Sequence, residues 1–304
     1  MNNVALRGNE ILLAIDPDIR LVYNKHLQAQ KLWMPTELLP AEFKAEPLPQ
    51  AVKAMLVLNL LTEDGLPYFF GLLVKYLGAD HAIWDWTRMW TGEEDRHGRA
   101  LQIYLDQVLT REQLIGLERL QYNYLVQGFW PAWGGDPVKL LAYVVLQEQA
   151  TKVSHLGIAL AAKDHDDVLF GLMKKIAAEE SKHHLAYFDM FKAALKQDVN
   201  HALSALHFVV RSFAMPGNGI HGFQALSEIQ ARSGVFGPAQ LAEIIEDVSG
   251  RLGLSDLTQL SEEGEKARDG IFSSVKTLNR IAVRKRGIAS FTLPGFGDDF
   301  IVTL

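Results

Sequence analysis

Cysteine is absent from the 304 residues. That absence excludes disulfides, thiolate nucleophiles and cysteine-ligated iron–sulfur clusters together. Any electrons the protein uses must come from another protein or from a cofactor not held by thiolate. Positive charge is not in excess either. The 30 Lys and Arg are outnumbered by 36 Asp and Glu, and a net charge of −6 gives no electrostatic footprint for nucleic acid. The sequence has no apolar run of about 18 residues of the kind that spans a membrane. Met1-Asn2-Asn3-Val4-Ala5-Leu6-Arg7 lacks the basic region, apolar stretch and cleavage site of a secretory signal. A soluble, cytoplasmic protein without a membrane span is therefore expected. Alternating strand patterns are also missing from the first two thirds.

What is present is a helical period. Hydrophobic residues make up 48% and charged residues 22%, enough for a sizeable core. The pattern predicts helices over about 48–77, 79–107, 110–127, 137–163 and 166–196. Further helices are expected over about 200–214, 222–233, 238–251 and 262–286. Thr110-Arg111-Glu112-Gln113 reads as a capping box, and Asp136-Pro137 as an N-cap with a first-turn proline. Arg284-Lys285-Arg286 complements a helix dipole at a C-terminus, or offers a docking patch to an acidic partner. Residues 289–304 read as a short hairpin around Pro294-Gly295. No Pro-, Gly- or Ser-rich linker divides the chain, so one all-α domain is expected over 1–304. Within it, 1–47 is an N-terminal segment, 48–200 the bundle core, 201–288 accessory helices and 289–304 a tail.

The decisive pattern is a repeated Glu-x-x-His. Glu94-Asp95-Arg96-His97 has Glu63 31 residues upstream, and Glu180-Ser181-Lys182-His183 has Glu148 32 residues upstream. Residues three apart share a helix face, so each quartet aims a carboxylate and an imidazole at one point. A glutamate about 31 residues earlier fits one helix up, a turn and one helix back. Two such hairpins form a four-helix bundle with four carboxylates and two imidazoles facing inward, the ligand set of a di-iron or di-manganese carboxylate site. Hard oxygen ligands with imidazole favour iron or manganese, and the lack of sulfur disfavours copper(I) and structural zinc. Small residues at Gly92, Gly98, Ala177 and Ala178 are expected to let the helices approach.

Glu179 is a candidate to orient a histidine on a facing helix, whereas Glu93 and His184 are expected to point elsewhere. Thr151 shares the face of Glu148; its hydroxyl either delivers a proton near the site or bonds back to its own helix. Trp33, Trp84, Trp86 and Trp90 read as core packing.

At these residues the chain resembles the soluble acyl-acyl-carrier-protein desaturases, best known from plant stearoyl members. The likeness runs through Thr62-Glu63-Asp64-Gly65-Leu66-Pro67, Trp86 to Gly98, Gln147 to Thr151, Ala178 to His183, Ser212 to Pro216 and Leu260 to Ala267. The resemblance implies a ferritin-like bundle with additional helices and two iron ions held by Glu63, Glu94, His97, Glu148, Glu180 and His183. It further implies O2 as co-substrate, a homodimer, a ferredoxin-type electron donor and an acyl chain carried on acyl carrier protein. Thr151 matches a family threonine associated with oxygen activation, and Trp33 and Glu179 match a path for electrons to His97. Family members usually carry Asn at the position of Asp95 and Ala at that of Gly65. Gly65 and Pro67 should weaken or kink the first ligand-bearing helix. Tyr68, Phe69, Leu72, Trp130 and Pro131 are the candidate walls of an acyl channel.

Two related proteins stay open as alternatives. A radical-bearing ribonucleotide reductase subunit uses a similar framework, but has an aspartate where this chain has Glu63 and a tyrosine where it has Leu101; Tyr187 does follow His183 by four. A ferritin-type storage protein is usually about half this length. A helical bundle that uses the same carboxylates only structurally, without metal, is the third possibility.

Overall fold

The computed structural model describes residues 3–129, 131, 133, 135–283, 289–293, 295–297 and 300–304. Trp130 and Arg284-Lys285-Arg286 lie outside them. In chain order the helices are α1 (Asn3–Ala14), α2 (Asp16–Ala29), α3 (Pro35–Leu38), α4 (Gln50–Glu63), α5 (Leu66–Leu77), α6 (His81–Val108) and α7 (Arg111–Gln127). After these come α8 (Pro137–Ala162), α9 (Asp167–Gln197), α10 (Val199–Ser212), α11 (Phe223–Arg232), α12 (Pro238–Arg251) and α13 (Glu262–Ala282). Strands β1 (Ser290–Thr292) and β2 (Ile301–Thr303) pair antiparallel, with Phe291 opposite Val302. The all-α, ferritin-like architecture and the terminal hairpin both follow the sequence expectation.

Local chemistry sets the helix starts. At α7 the capping box forms: Gln113 N–H donates to Thr110 Oγ1 (3.3 Å), and Thr110 N–H donates to Gln113 Oε1 (3.0 Å). Asp136 caps α8 through Val138 N–H, with Pro137 in the first turn. Asp166 caps α9 through Leu169 N–H at 2.7 Å. Its other oxygen accepts from Tyr104 of α6 and from the backbone of Glu46, both at 2.8 Å. One buried carboxylate thus ties α9, α6 and the approach to α4 together. Helix α8 is apolar all round, including the unbroken run Leu140–Leu146, and such a helix is stable only when enclosed. It lies along α9, between α4 and α5 on one side and α1, α10 and α12 on another.

The core has two apolar halves. One gathers Phe69, Trp86, Trp90, Tyr143, Tyr187 and Phe191 with α1, α2, α10, α12 and α13. The other gathers Leu56, Leu58, Leu60, Leu61, Leu101, Tyr104, Leu169, Ile176 and the aromatic residues of the terminal hairpin. Between them, on α4, α6, α8 and α9, lies a polar layer that contains every residue of the Glu-x-x-His pattern.

Two expectations are corrected. The single helix over 48–77 is two helices, because Pro67 has no N–H to continue the ladder and the turn tightens at Gly65, whose N–H bonds back to Thr62 O (3.1 Å). A Cβ on Gly65 would lie 2.7 Å from the Tyr124 hydroxyl, which donates to Pro216 O; glycine here admits that close approach. Gln50–Leu77 is, among the described residues, the one stretch apolar and long enough by composition to cross a membrane, and half of its apolar window is buried inside the fold. The second correction concerns 1–47, for which no helices were expected and three form. α1 runs unbroken through Gly8, a poor helix former, and α2 buries only Ile19 and His26, so the sequence of this segment gives a weak helical signal.

Asp166→Ala is expected to lower stability by at least about 2 kcal/mol, from the lost cap and the stranded Tyr104 hydroxyl. Thr110→Ala, a partly buried cap, should cost about 1 kcal/mol. Urea denaturation of both variants checks the order.

Candidate metal centre

The six residues of the sequence pattern meet in the polar layer. Glu63 occupies the last position of α4, Glu94 and His97 one face of α6, Glu148 the middle of α8, and Glu180 and His183 one face of α9. Ligand atoms of Glu63, Glu94, His97 and Glu180 lie within 4.8 Å of one another, and so do those of Glu94, Glu148, Glu180 and His183. Glu94 and Glu180 belong to both groups. The arrangement is therefore two adjacent positions, each with one terminal glutamate and one histidine, sharing two carboxylates. His183 Nδ1 stands 2.7 Å from Glu94, and His97 Nδ1 stands 3.2 Å from Glu180.

The donor set fits a pair of divalent cations. Glu94 Oε1, His97 Nδ1, Glu148 Oε2, both oxygens of Glu180 and His183 Nδ1 are buried with no well-formed hydrogen bond among the described residues. Buried polar atoms are rarely left so, and these converge on one region. Each imidazole turns Nδ1 inward because its Nε2 is held from outside. Glu179 Oε2 accepts from His97 Nε2 (3.1 Å) and from Trp33 Nε1 (2.7 Å), with Arg96 against the same carboxylate. In the other half, Glu93 Oε2 accepts from His183 Nε2 and from His26 Nε2, each at 2.8 Å, while Gln30 donates to Glu93 Oε1. Trp90 Nε1 donates to Glu148 Oε1 (3.1 Å), and His155 Nε2 lies 3.2 Å from Glu63 Oε1.

Glu179 thus takes the orienting position expected of it. Glu93 does not point elsewhere, as expected, but performs the same service for His183. The sequence carried that signal: both quartets are preceded by a glutamate, Glu93-Glu94 and Glu179-Glu180. His26, Asn59 and His155 come from unpatterned positions that spacing alone does not reveal. Among the small residues, Gly98 matters, since a Cβ there would lie 3.3 Å from Glu63 Cβ. Gly92 and Ala178 are exposed and separate no helices.

Electrostatics follow from burial. Burial pushes the Glu63 carboxyl up to about 7, helped by Glu94 and Glu180, and drives Glu148 well above its ordinary range. Burial alone would depress the imidazoles; facing carboxylates outweigh it, raising His97 and His183 well above normal and His155 to about 9. Burial would raise Glu179, but His97 and Trp33 hold it low.

A cavity of about 380 Å³ reaches this layer from the surface. Its walls are largely apolar, with Leu58, Phe213, Met215, Phe236 and Leu241 among them, and its inner end is formed by Glu63, Thr151 and His155. Thr151 Oγ1 bonds back to the carbonyls of Gln147 and Glu148 and faces this space. The expected channel walls Tyr68, Phe69 and Leu72 do not line it. Phe69 and Leu72 are packed in the core, where Phe69 stacks on Phe129 and Tyr143 at centroid distances of 5.7 and 6.0 Å. Pro131 lines a separate pocket.

A sequence profile described as fatty acid desaturase matches residues 7–291. DesA1 of Mycobacterium tuberculosis, assigned as an acyl-acyl-carrier-protein desaturase, is 30% identical over 88% of this chain and 85% of its own. The chloroplastic stearoyl-acyl-carrier-protein 9-desaturase of Ricinus communis is 29% identical over 87% of this chain and 74% of its own. Among solved structures, DesA2 of M. tuberculosis, likewise assigned as an acyl-ACP desaturase, superposes with a TM-score of 0.62 at 19% identity, covering 85% of this chain and 99% of that one.

Glu63, with a folded pKa above its unfolded one, contributes stability at low pH that is lost as pH rises through about 7. His155 has the same sign and loses its contribution toward about 9. Chelator-treated protein is therefore expected to lose thermal stability steadily from about pH 6 to about pH 9. Saturation with divalent metal should flatten that slope, which melting curves at each pH will show.

Proposed function

Because the chain belongs to the fatty acid desaturase family, we propose that it is an acyl-acyl-carrier-protein desaturase. It uses O2 and two external electrons to place a cis double bond in a fatty acyl chain. The observation that carries this reading is the apolar cavity ending on Glu63 and Thr151, against the shared-carboxylate cluster.

In this reading Glu63, Glu94, His97, Glu148, Glu180 and His183 would hold two iron ions, Glu94 and Glu180 belonging to both ligand groups. Bound iron supplies the reductive activation of O2 needed to remove hydrogen from an unactivated methylene. The protein supplies placement. Glu179 and Glu93 fix the imidazole orientations, so the inward nitrogens need no rearrangement. Leu58, Phe213, Met215, Phe236 and Leu241 dehydrate the acyl chain and present two neighbouring carbons at the inner end, where position selects which carbons react. Thr151 donates its hydroxyl proton to its own helix and lines the cavity, so a turn about its side-chain bond would bring that proton to the reacting carbons. Trp33, bonded through Glu179 to His97, is the natural entry for electrons from a ferredoxin-type donor. Acyl carrier protein delivers the substrate, the working unit is a homodimer, and the setting is the cytoplasm.

Iron-loaded protein given reductant, ferredoxin, O2 and saturated acyl carrier proteins of graded length is expected to yield monounsaturated products by mass spectrometry. No unsaturated product across the panel overturns the reading. His183→Ala should reduce bound iron from about two to at most about one per chain. Glu179→Ala should weaken iron binding by about 10–100-fold, measured by metal-competition titration. Thr151→Val should retain the iron and slow turnover by roughly tenfold or more.

A further inference from the structure

One wall of the cavity is not apolar. Asn59 of α4, Ser154 and His155 of α8 and Gln230 of α11 form a buried polar cluster, exposed by 6, 4, 1 and 4% respectively. Gln230 Nε2 donates to Asn59 Oδ1 (2.9 Å) and to Ser154 Oγ (3.1 Å), and Ser154 Oγ donates to Asn59 Oδ1 (3.0 Å). With its oxygen taken by two donors, Asn59 turns Nδ2 to His155 Nδ1 (2.9 Å). The other ring nitrogen, Nε2, faces Glu63 Oε1 at 3.2 Å and Glu180 Oε1 at 3.6 Å. A continuous relay therefore runs from accessory helix α11, which carries none of the six clustered residues, to two of the six.

Buried amides and hydroxyls on an apolar wall are costly unless bonded, and these bonds are as strong as the water around them allows. Water in an unfilled cavity competes for Gln230, Ser154 and Asn59, all of which face it. Methylene groups offer no competing hydrogen bonds and exclude that water, so filling the cavity tightens the relay. We infer that Gln230 is a positioning residue that couples occupancy of the cavity to the setting of His155 against Glu63 and Glu180. This rests on the cavity being the acyl site. The coupling gives the metal pair different surroundings with and without substrate, as any ligand-driven change requires a differential contact.

The test uses full-length protein loaded with cobalt(II), whose visible absorption reports ligand geometry independently of turnover. Stearoyl-acyl carrier protein should change the wild-type spectrum. Gln230→Met, similar in volume but without hydrogen bonds, should fold and bind cobalt, and its spectrum is compared with wild type at saturating stearoyl-acyl carrier protein. Its spectral change should shrink by at least about threefold. Gln230→Ala, which leaves space rather than bulk, is read the same way if Gln230→Met does not fold. A wild-type-sized spectral change in a folded Gln230 variant overturns the inference while leaving the desaturase reading intact. Wild-type protein that neither binds nor desaturates any acyl carrier protein overturns both.

Discussion

Four carboxylates and three imidazoles share a layer buried between two apolar halves, and the rest of the fold is arranged around the cost of keeping them there. Anions brought together without solvent repel strongly, and each must gain a proton, a hydrogen bond or a cation. The protein supplies the hydrogen bonds only on the outer side. Glu179 and Glu93 hold the far nitrogens of His97 and His183. The inner atoms converge on each other with little to satisfy them. Burying this layer between two apolar halves makes the demand for positive charge at its centre unavoidable.

The site has an approximate internal symmetry. Trp33, Glu179 and His97 in one half correspond to His26, Glu93 and His183 in the other, and Arg96 lies near both outer carboxylates. The symmetry ends at the terminal glutamates. Glu148 is anchored by Trp90 in mid-helix, whereas Glu63 is met by His155 at a helix end. The cavity opens on the Glu63 side, so the two metal positions offered by the fold have unequal access to whatever fills it.

Much of this was legible in the sequence because helical geometry turns spacing into direction. A separation of three positions between Glu94 and His97, and between Glu180 and His183, already placed each pair on one face, and the upstream glutamates gave the hairpins. Thr110 and Asp136 announced their helix starts through ordinary capping chemistry. What escaped reading was what depends on packing between distant segments. His26 reaches Glu93 from a helix with hardly any apolar stripe, and Gln230 reaches Asn59 across 171 positions. No local period encodes such contacts. The channel expectation failed for the same reason: Phe69 and Leu72 are apolar enough to line a cavity, yet other aromatic rings fill the space beside them.

The interruption between α4 and α5 carries a consequence for how the centre can adapt. A side chain in mid-helix is braced by backbone turns above and below, as Glu148 and Glu180 are. Glu63 is braced from one side only, since the next regular turn belongs to a different segment. Among the six convergent groups it is therefore the one whose backbone support ends at a break in the helix, so a shift at Gly65 or Pro67 would be felt at this carboxylate before the other five.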